Sequence, residues 1–256
     1  YNKVPQIFLG KLYPQETLGS YEQAVKLKDQ PATSAMQAVQ GVIFPALAKI
    51  KHDAVKFAES YRQIVMVVAY ALFPVMAGMA AIAQDMFAVL VGEQWLPAVP
   101  YFEVLCLAGL FWPVAMVAYN VLKVKAEGRT IFWLEVAKKA VLTVIFFVTI
   151  PRSVMAVVWG LALYGLLEML INVVASLRFT VFTFVRFVRT LLPVAAVTAI
   201  MFQMVRLTEV FGPESDLLRL LLEVVVGAVT YVGLSALFRL EAFGEVVGLV
   251  KKQLRR

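Results

Sequence analysis

The residues with the clearest chemical pattern lie in a polar segment of an otherwise apolar chain. This segment covers residues 18–45 and is rich in amides, hydroxyls and lysines. At about 100° per residue in a helix, six of its polar side chains fall within a sector of about 100°. These six are Gln23, Lys26, Gln30, Thr33, Ser34 and Gln37. Because polar groups are costly in hydrocarbon unless they face protein or a watery cavity, we expect this polar stripe to line an aqueous path.

Lys26 gives the polar stripe a positive charge. It lies about eight residues from the outer end of the predicted helix, which is roughly 12 Å along the helix axis. A cation at that depth suits an anionic solute such as a phosphate group. In a purely structural alternative, Lys26 pairs with Glu22 or Asp29, which are three or four residues away. Cavity lining is favoured because uncharged amides share the stripe, and an ion pair alone would not require them.

A second candidate is a carboxyl group in the middle of an apolar stretch. Tyr164, Glu168 and Asn172 follow one another four residues apart and therefore share a helix face. An ionisable residue within a membrane span is a candidate for a proton or cation relay, so these three residues could couple transport to an ion gradient. The alternative is an interhelical hydrogen bond made by a protonated glutamic acid, and it stays open.

The sequence carries no recognisable catalytic machinery. With one cysteine, Cys106, and one histidine, His52, the chain cannot form a disulfide framework, a cysteine-ligated zinc site or a histidine-rich metal centre. It has no P-loop and no nucleophile with a base nearby. We therefore expect a protein that is not an enzyme and has no cofactor or metal, and that moves any substrate it binds.

The rest of the chain must position these residues, and its composition is that of a membrane protein. Of its 256 residues, 61% are apolar and 16% are charged, and the mean hydropathy is +0.81. Soluble domains carry about 25% charged residues. A spanning helix needs about 20 mostly apolar residues, so the sequence predicts an all-α, polytopic bundle of about seven spanning helices plus a partial one. The predicted spans are residues 18–45, 64–83 with an apolar extension to 91, 99–122, 131–150, 154–177, 190–207 and 217–238.

The predicted bundle, residues 13–239, lies between two other segments. Residues 1–12 resemble the end of a truncated helix, and because the chain begins with Tyr1, we expect a piece of a longer protein. Residues 240–256 form a basic tail with apolar residues at helical spacing, which we expect to lie along lipid headgroups. The segment Arg178–Arg189, with aromatic residues between arginines, is predicted to do the same.

The loops between the predicted spans alternate in basic content, and this alternation predicts an orientation. Seventeen lysines and arginines, with Lys138 and Lys139 among them, are assigned to one side, and four are assigned to the other. Short cytoplasmic loops retain positive charge, so the basic side and the C-terminus are predicted to be cytoplasmic. The net charge of +7 is therefore attributed to membrane topology, and nucleic-acid binding is not expected.

Short motifs over residues 7–130 resemble those of Wzx-type polysaccharide flippases. Each motif is weak alone, but their order and spacing together are specific. The matching segments are FLGK at 8–11, LGSY at 18–21, AVKL at 24–27, Pro31, FPALAKI at 44–50, GEQWLPAVP at 92–100 and LCLAG at 105–109.

The resemblance implies a transporter of the MOP superfamily, in which two helical bundles surround a V-shaped central cavity. This chain would be the C-terminal bundle. The implied activity is flipping an undecaprenyl-pyrophosphate-linked oligosaccharide across the bacterial inner membrane, for export of O-antigen, exopolysaccharide or capsule. The implied partners are that lipid-linked oligosaccharide, membrane lipids, an N-terminal bundle and a polysaccharide polymerase. Alternating access would come from one bundle rocking against the other.

Two other functions remain possible from the sequence. A multidrug exporter of the MATE type would share the same superfamily fold but would confer drug resistance and leave polysaccharide unaffected. A non-transporting membrane scaffold for polysaccharide assembly would recruit a polymerase without moving lipid-linked sugar.

Overall fold

Helices make up all the regular secondary structure in the described part of the computed structural model. The described residues are 10–254, with the side chains at 32–42, 210 and 249–254 excepted. This confirms the predicted all-α class. The helices are α1 (residues 10–12), α2 (Gln15–Lys49), α3 (Ala54–Ala81), α4 (Ala83–Met86), α5 (Val99–Gly109), α6 (Phe111–Lys125), α7 (Gly128–Thr149), α8 (Val154–Leu177), α9 (Phe184–Phe211), α10 (Asp216–Leu237) and α11 (Glu241–Leu254), with a π-helical turn at Phe87–Val91 and a 3₁₀ helix at Glu93–Ala98.

Each predicted span lies on helical structure, and the chain is a multi-pass membrane protein. The span 99–122 is divided between α5 and α6. Five helical stretches of the described residues are long and apolar enough to cross a membrane: Ala54–Ala81, Glu93–Lys125, Val154–Leu177, Phe184–Glu209 and Asp216–Leu237. The other two predicted spans correspond to α2 and α7, and both carry polar or charged residues within the helix. The expected count of about seven spans therefore includes α2 and α7, whose polar side chains must face protein or water instead of lipid.

Capping residues set helix ends that hydropathy alone did not locate. The Asp53 side chain accepts a hydrogen bond from the Lys56 backbone N–H at 2.9 Å, so α3 begins ten residues before the predicted span. Thr183 caps α9 in the same way and places residues 184–189 in its first turns. Residues 184–189 of the segment Arg178–Arg189 therefore belong to a helix that is long and apolar enough to cross a membrane, and the position of the segment along the headgroups stays a prediction.

Pro113 accounts for the break between α5 and α6. Proline has no backbone N–H and its ring clashes with the carbonyl of the fourth residue before it, which here is Gly109. Helix α5 ends at that residue and α6 resumes at Phe111. A Cβ atom on Gly109 would come within 2.8 Å of the Met76 sulfur, so the absence of a side chain at this position lets α3 approach closely.

Helix α3 lies at the centre of the bundle and forms hydrogen bonds with α8 and α10. Its Tyr61 hydroxyl and the Ser176 hydroxyl of α8 share a buried hydrogen bond of 2.9 Å. From α10, the Tyr231 hydroxyl donates to the Tyr70 carbonyl at 2.8 Å. Apolar side chains of α3, α6 and α9 pack into one continuous cluster around these contacts. The other helices are thereby positioned on a rigid central element.

Ion pairs join helices at the end of the bundle that is predicted to face outward. Arg219 of α10 binds both carboxylate oxygens of Asp85 in α4 at 2.5 Å. Arg206 of α9 pairs with Glu103 of α5 at 3.1 Å and with Glu209 at 3.2 Å. Two of the four basic residues assigned to the outer side are therefore neutralised by acidic residues.

At the opposite end of the bundle, Arg62 attaches the C-terminal helix to α3. Its guanidinium contacts Glu241 of α11 at 2.5 and 2.9 Å and Glu59 at 2.7 Å. The hydrogen bond from Arg62 holds the pKa of Glu241 below its usual range, so the carboxylate stays charged at neutral pH. The predicted basic tail includes α11, and its position on lipid headgroups stays a prediction.

Candidate functional site

Helix α2 packs one face on the bundle and turns its polar face away. Tyr21 is 4% exposed and Ala24 is fully buried, and both belong to an apolar cluster that also includes side chains of α5 and α8. Lys26 and Gln30 are exposed, and Gln23 is partly buried. Ala24 and Lys26 lie about 160° apart around the helix. The described part of the polar stripe therefore faces away from the helices of this chain.

The inner part of the polar stripe lies on the same uninterrupted helix. Thr33, Ser34 and Gln37 fall within α2, but their side chains lie outside the described residues. Helix α2 continues through Pro31 from Gln15 to Lys49, so the helical register that relates these three positions to Lys26 is kept. A role for all six stripe residues in binding stays a prediction.

The structure does not place Lys26 in the intrahelical ion pair that was the alternative explanation. The Asp29 carboxylate pairs with Lys28 at 2.6 Å. Among the ion pairs of the described residues, none includes Lys26, and Glu22 is exposed. Lys26 is exposed on the face of α2 that is turned away from the bundle.

The outer end of the polar stripe leads to a cavity of about 640 Å³. The first turn of α2 contributes Gln15 and Glu16 to its wall, and the outer loop contributes Gln94 and Trp95. Gly19, which lies about 20° from Lys26 around the helix, also lines the cavity. Amides and a carboxylate can hydrogen-bond hydroxyl groups, and an indole ring offers a flat apolar surface beside them. This combination suits a sugar.

A buried charge cluster surrounds Lys138, which the orientation argument wrongly placed with the cytoplasmic loops. Lys138 lies ten residues into α7, roughly 15 Å along its axis, and is 2% exposed. Its ammonium group pairs with Glu135 at 2.5 Å and with Glu168 of α8 at 3.2 Å. It also lies 4.9 Å from the centre of the Tyr119 ring of α6. Lys138 therefore joins three helices within the bundle.

This cluster changes the interpretation of Glu168. Sequence reasoning offered a relay site or a hydrogen bond made by a neutral acid, and neither included a lysine partner. The observed ion pair joins Glu168 to the buried cation of α7. Two carboxylates share this one lysine, which leaves a formal charge of −1 when all three groups are ionised.

The other two residues on the predicted face of Glu168 are engaged elsewhere. The Asn172 side-chain amide is 2% exposed and donates to the Ala115 carbonyl of α6 at 3.2 Å. Tyr164 is partly buried and packs against the apolar cluster near the outer end. The described contacts therefore bring Lys138 and Glu135 to Glu168, while Asn172 binds α6 and Tyr164 lies within electrostatic range of Glu168 and Glu135. The sequence did contain a signal for Lys138, since it falls within the predicted span 131–150, three residues after Glu135.

The chain is similar in sequence to proteins named for the biosynthesis of teichuronic acid and of lipopolysaccharide. Residues 1–100 match a family model described as polysaccharide biosynthesis protein. The chain is 25% identical over 234 residues to the teichuronic acid biosynthesis protein TuaB of Bacillus subtilis, covering 89% of this chain and 48% of that protein. It is 27% identical over 174 residues to the lipopolysaccharide biosynthesis protein WzxC of Escherichia coli, covering 66% of this chain and 34% of that protein. The chain thus spans between about a third and a half of these relatives.

The fold is shared with a solved flippase structure. The lipid II flippase MurJ in an inward closed conformation superimposes with a TM-score of 0.74 at 15% sequence identity, over 93% of this chain and 50% of that chain. Together with the relatives, this match confirms the resemblance to Wzx-type proteins that the motifs indicated.

Removing the cation from the buried cluster should destabilise the bundle. In Lys138→Met, Glu135 and Glu168 lose the buried ammonium group that they share, so we expect the free energy of unfolding to fall by on the order of 3 kcal/mol. Adding Glu168→Gln to Lys138→Met should recover part of that loss, because one unpaired charge is then removed. Thermal unfolding of the full-length protein in detergent measures both effects. Equal stability of wild type and Lys138→Met would contradict the pairing.

Proposed function

We propose that this chain forms the C-terminal bundle of a transporter that flips undecaprenyl-pyrophosphate-linked oligosaccharide across the bacterial inner membrane. In this role it binds and moves its substrate without catalysing a reaction. The observation that carries the proposal is the polar face of α2, which is turned away from its own bundle in a chain with the fold of a flippase half. In a two-bundle transporter that face borders the central cavity, and an N-terminal bundle provides the opposite wall.

The chemistry of α2 fits a cargo with an anionic group and a glycan. Lys26 offers a positive charge to the pyrophosphate, and the amides of Gln23 and Gln30 can hydrogen-bond sugar hydroxyls. The outer cavity at Gln94 and Trp95 continues this polar surface to the end of the helix. The lipid tail remains in the bilayer while the polar part of the cargo follows the groove.

The cluster around Lys138 is the proposed site of energy coupling. Glu135 and Glu168 compete for one buried lysine, so protonation or cation binding at either carboxylate changes the charge shared by α7 and α8. That change alters how strongly the two helices attract each other and can favour one arrangement of the bundle over another. Glu168, with Tyr164 and Asn172 on the same helix, is the proposed coupling residue.

Neutralising Lys26 should impair polysaccharide export without affecting the amount of protein. A charge-assisted contact to pyrophosphate is typically worth about 1.5–3 kcal/mol, so Lys26→Ala should lower export roughly tenfold or more. The matched control is Lys28→Ala, two residues further along and on the packed side of the helix. Surface polysaccharide is measured in a deletion strain that expresses each full-length variant at equal level. Wild-type export by Lys26→Ala would remove this lysine from the mechanism.

Replacing Glu168 should change the ion dependence of transport. Glu168→Gln cannot ionise, so we expect flipping of lipid-linked oligosaccharide in proteoliposomes to lose its dependence on a pH or sodium gradient. Glu127→Gln, at an exposed position before α7, is the matched control. An unchanged dependence on both gradients in Glu168→Gln would exclude this residue from coupling.

Cysteine labelling tests the proposed orientation. In a Cys106→Ala background, Gln94→Cys should react with a membrane-impermeant maleimide added outside the cell, because the 3₁₀ helix is assigned to the outer face. Lys125→Cys, at the end of α6, should react only after the membrane is opened. Replacing Cys106, which is fully buried, leaves the introduced cysteine as the one thiol among these 256 residues. The reverse labelling pattern would invert the topology and move the C-terminus outside.

A further inference from the structure

A cavity of about 610 Å³ lies where α3, α9 and α10 meet the start of α11. Its wall contains four arginines: Arg62 of α3, Arg186 and Arg189 of α9, and Arg239 between α10 and α11. It lies at the end of the bundle opposite the ion pairs of Arg206 and Arg219. Its lining residues are different from those of the polar stripe, the outer cavity and the Lys138 cluster.

Three of the four arginines in this wall remain uncompensated. Glu59 and Glu241 also line the cavity, and both bind Arg62. Among the described residues, no carboxylate pairs with Arg186, Arg189 or Arg239. The cavity therefore keeps a formal charge of +2 after its own acidic residues are counted. Guanidinium groups gathered in this way bind phosphate through several parallel hydrogen bonds.

The backbone at Arg239 is held in an uncommon conformation. Its φ angle of 49° is the one positive φ of a non-glycine residue within the described part of the chain. The turn is fixed because the Leu240 N–H donates to the Ser235 carbonyl at 2.9 Å and the Arg239 N–H donates to the Ala236 carbonyl at 3.1 Å. Glycine would occupy this position without strain. An arginine here is tolerated at a cost, which points to a use for its side chain at the cavity.

Apolar surface surrounds the arginines. Met66, Pro193 and Val194 line the cavity beside them. Next to the cavity, Val185 of α9 is 59% exposed and Phe238 is 61% exposed. A ligand for this surface must therefore present an anionic group to the arginines and an apolar body to their surroundings.

We propose that this cavity binds the headgroup phosphate of an anionic phospholipid from the adjacent membrane leaflet. Arg186, Arg189 and Arg239 hold the phosphate, and the acyl chains lie along the exposed apolar residues of α9. The lipid fills the junction of α9, α10 and α11 beside the Arg62–Glu241 pair. This site rests on one part of the proposed function, the membrane orientation, which identifies the adjacent leaflet as the cytoplasmic one. It does not depend on which cargo is flipped.

Native mass spectrometry of the full-length protein in detergent tests the site with dioleoyl phosphatidylglycerol as the probe. Wild type should bind one molecule of this lipid at least tenfold more tightly than dioleoyl phosphatidylcholine, whose headgroup carries no net charge. The Arg186→Gln/Arg189→Gln variant should lose about tenfold or more of that affinity. Lys51→Gln/Arg129→Gln removes two exposed basic residues outside the cavity and should bind as wild type does.

A second variant covers the case in which the double variant does not fold. Arg239→Gly removes one guanidinium and relieves the left-handed strain, so it should keep or raise thermal stability while weakening binding of phosphatidylglycerol. Equal affinity for the two lipids, or wild-type binding by both cavity variants, would overturn the proposal. Displacement of phosphatidylglycerol by an equal concentration of inorganic phosphate would also overturn it, because a site for a free anion gains nothing from acyl chains.

Discussion

The cost of placing polar groups in hydrocarbon is the constraint on which the rest of this structure depends. Helices α2 and α7, the two predicted spans outside the five most apolar helical stretches, meet that cost in opposite ways. Helix α7 turns Lys138 into the bundle, where two carboxylates and an aromatic ring surround it. Helix α2 buries its small and aromatic residues and leaves Lys26 and Gln30 on the other side. One helix thus satisfies its charge internally, and the other requires water or a further protein surface.

The two ends of the bundle use arginine differently. At the outer end, Arg206 and Arg219 are held by Glu103 and Asp85, and these pairs connect helices. At the inner end, Arg62 alone is paired in its cavity, and three neighbouring arginines have no carboxylate among the described residues. Paired arginines fix the distance between helices, whereas unpaired ones can attract an anion. The arginines that predict the topology therefore also leave an unbalanced positive charge in this cavity, counted over the residues that line it.

Hydropathy and periodicity were sufficient to predict the helices, because lipid imposes a length and an apolar composition on each span. They also separated the polar stripe of α2 from its opposite face. They could not predict which face packs on the bundle, since that depends on neighbours such as those around Ala24. The partner of Glu168 was missed for the same reason. Lys138 is 30 residues away in sequence and was assigned by loop counting, while only the packing of α7 on α8 brings the two side chains together.

In the proposed flippase, the polar face of α2 forms one wall of the groove for the cargo. A groove for a charged glycan needs two walls, and the helices that pack on α2 here lie behind its apolar face. The second wall must come from outside the described helices, and in the proposed flippase it is the N-terminal bundle. Rocking of one bundle against the other then opens the groove to either side, while the interior of this bundle stays intact around α3. In the proposed mechanism the Lys138 cluster lies within that interior, so the cargo and a coupling ion contact different helices of the same bundle.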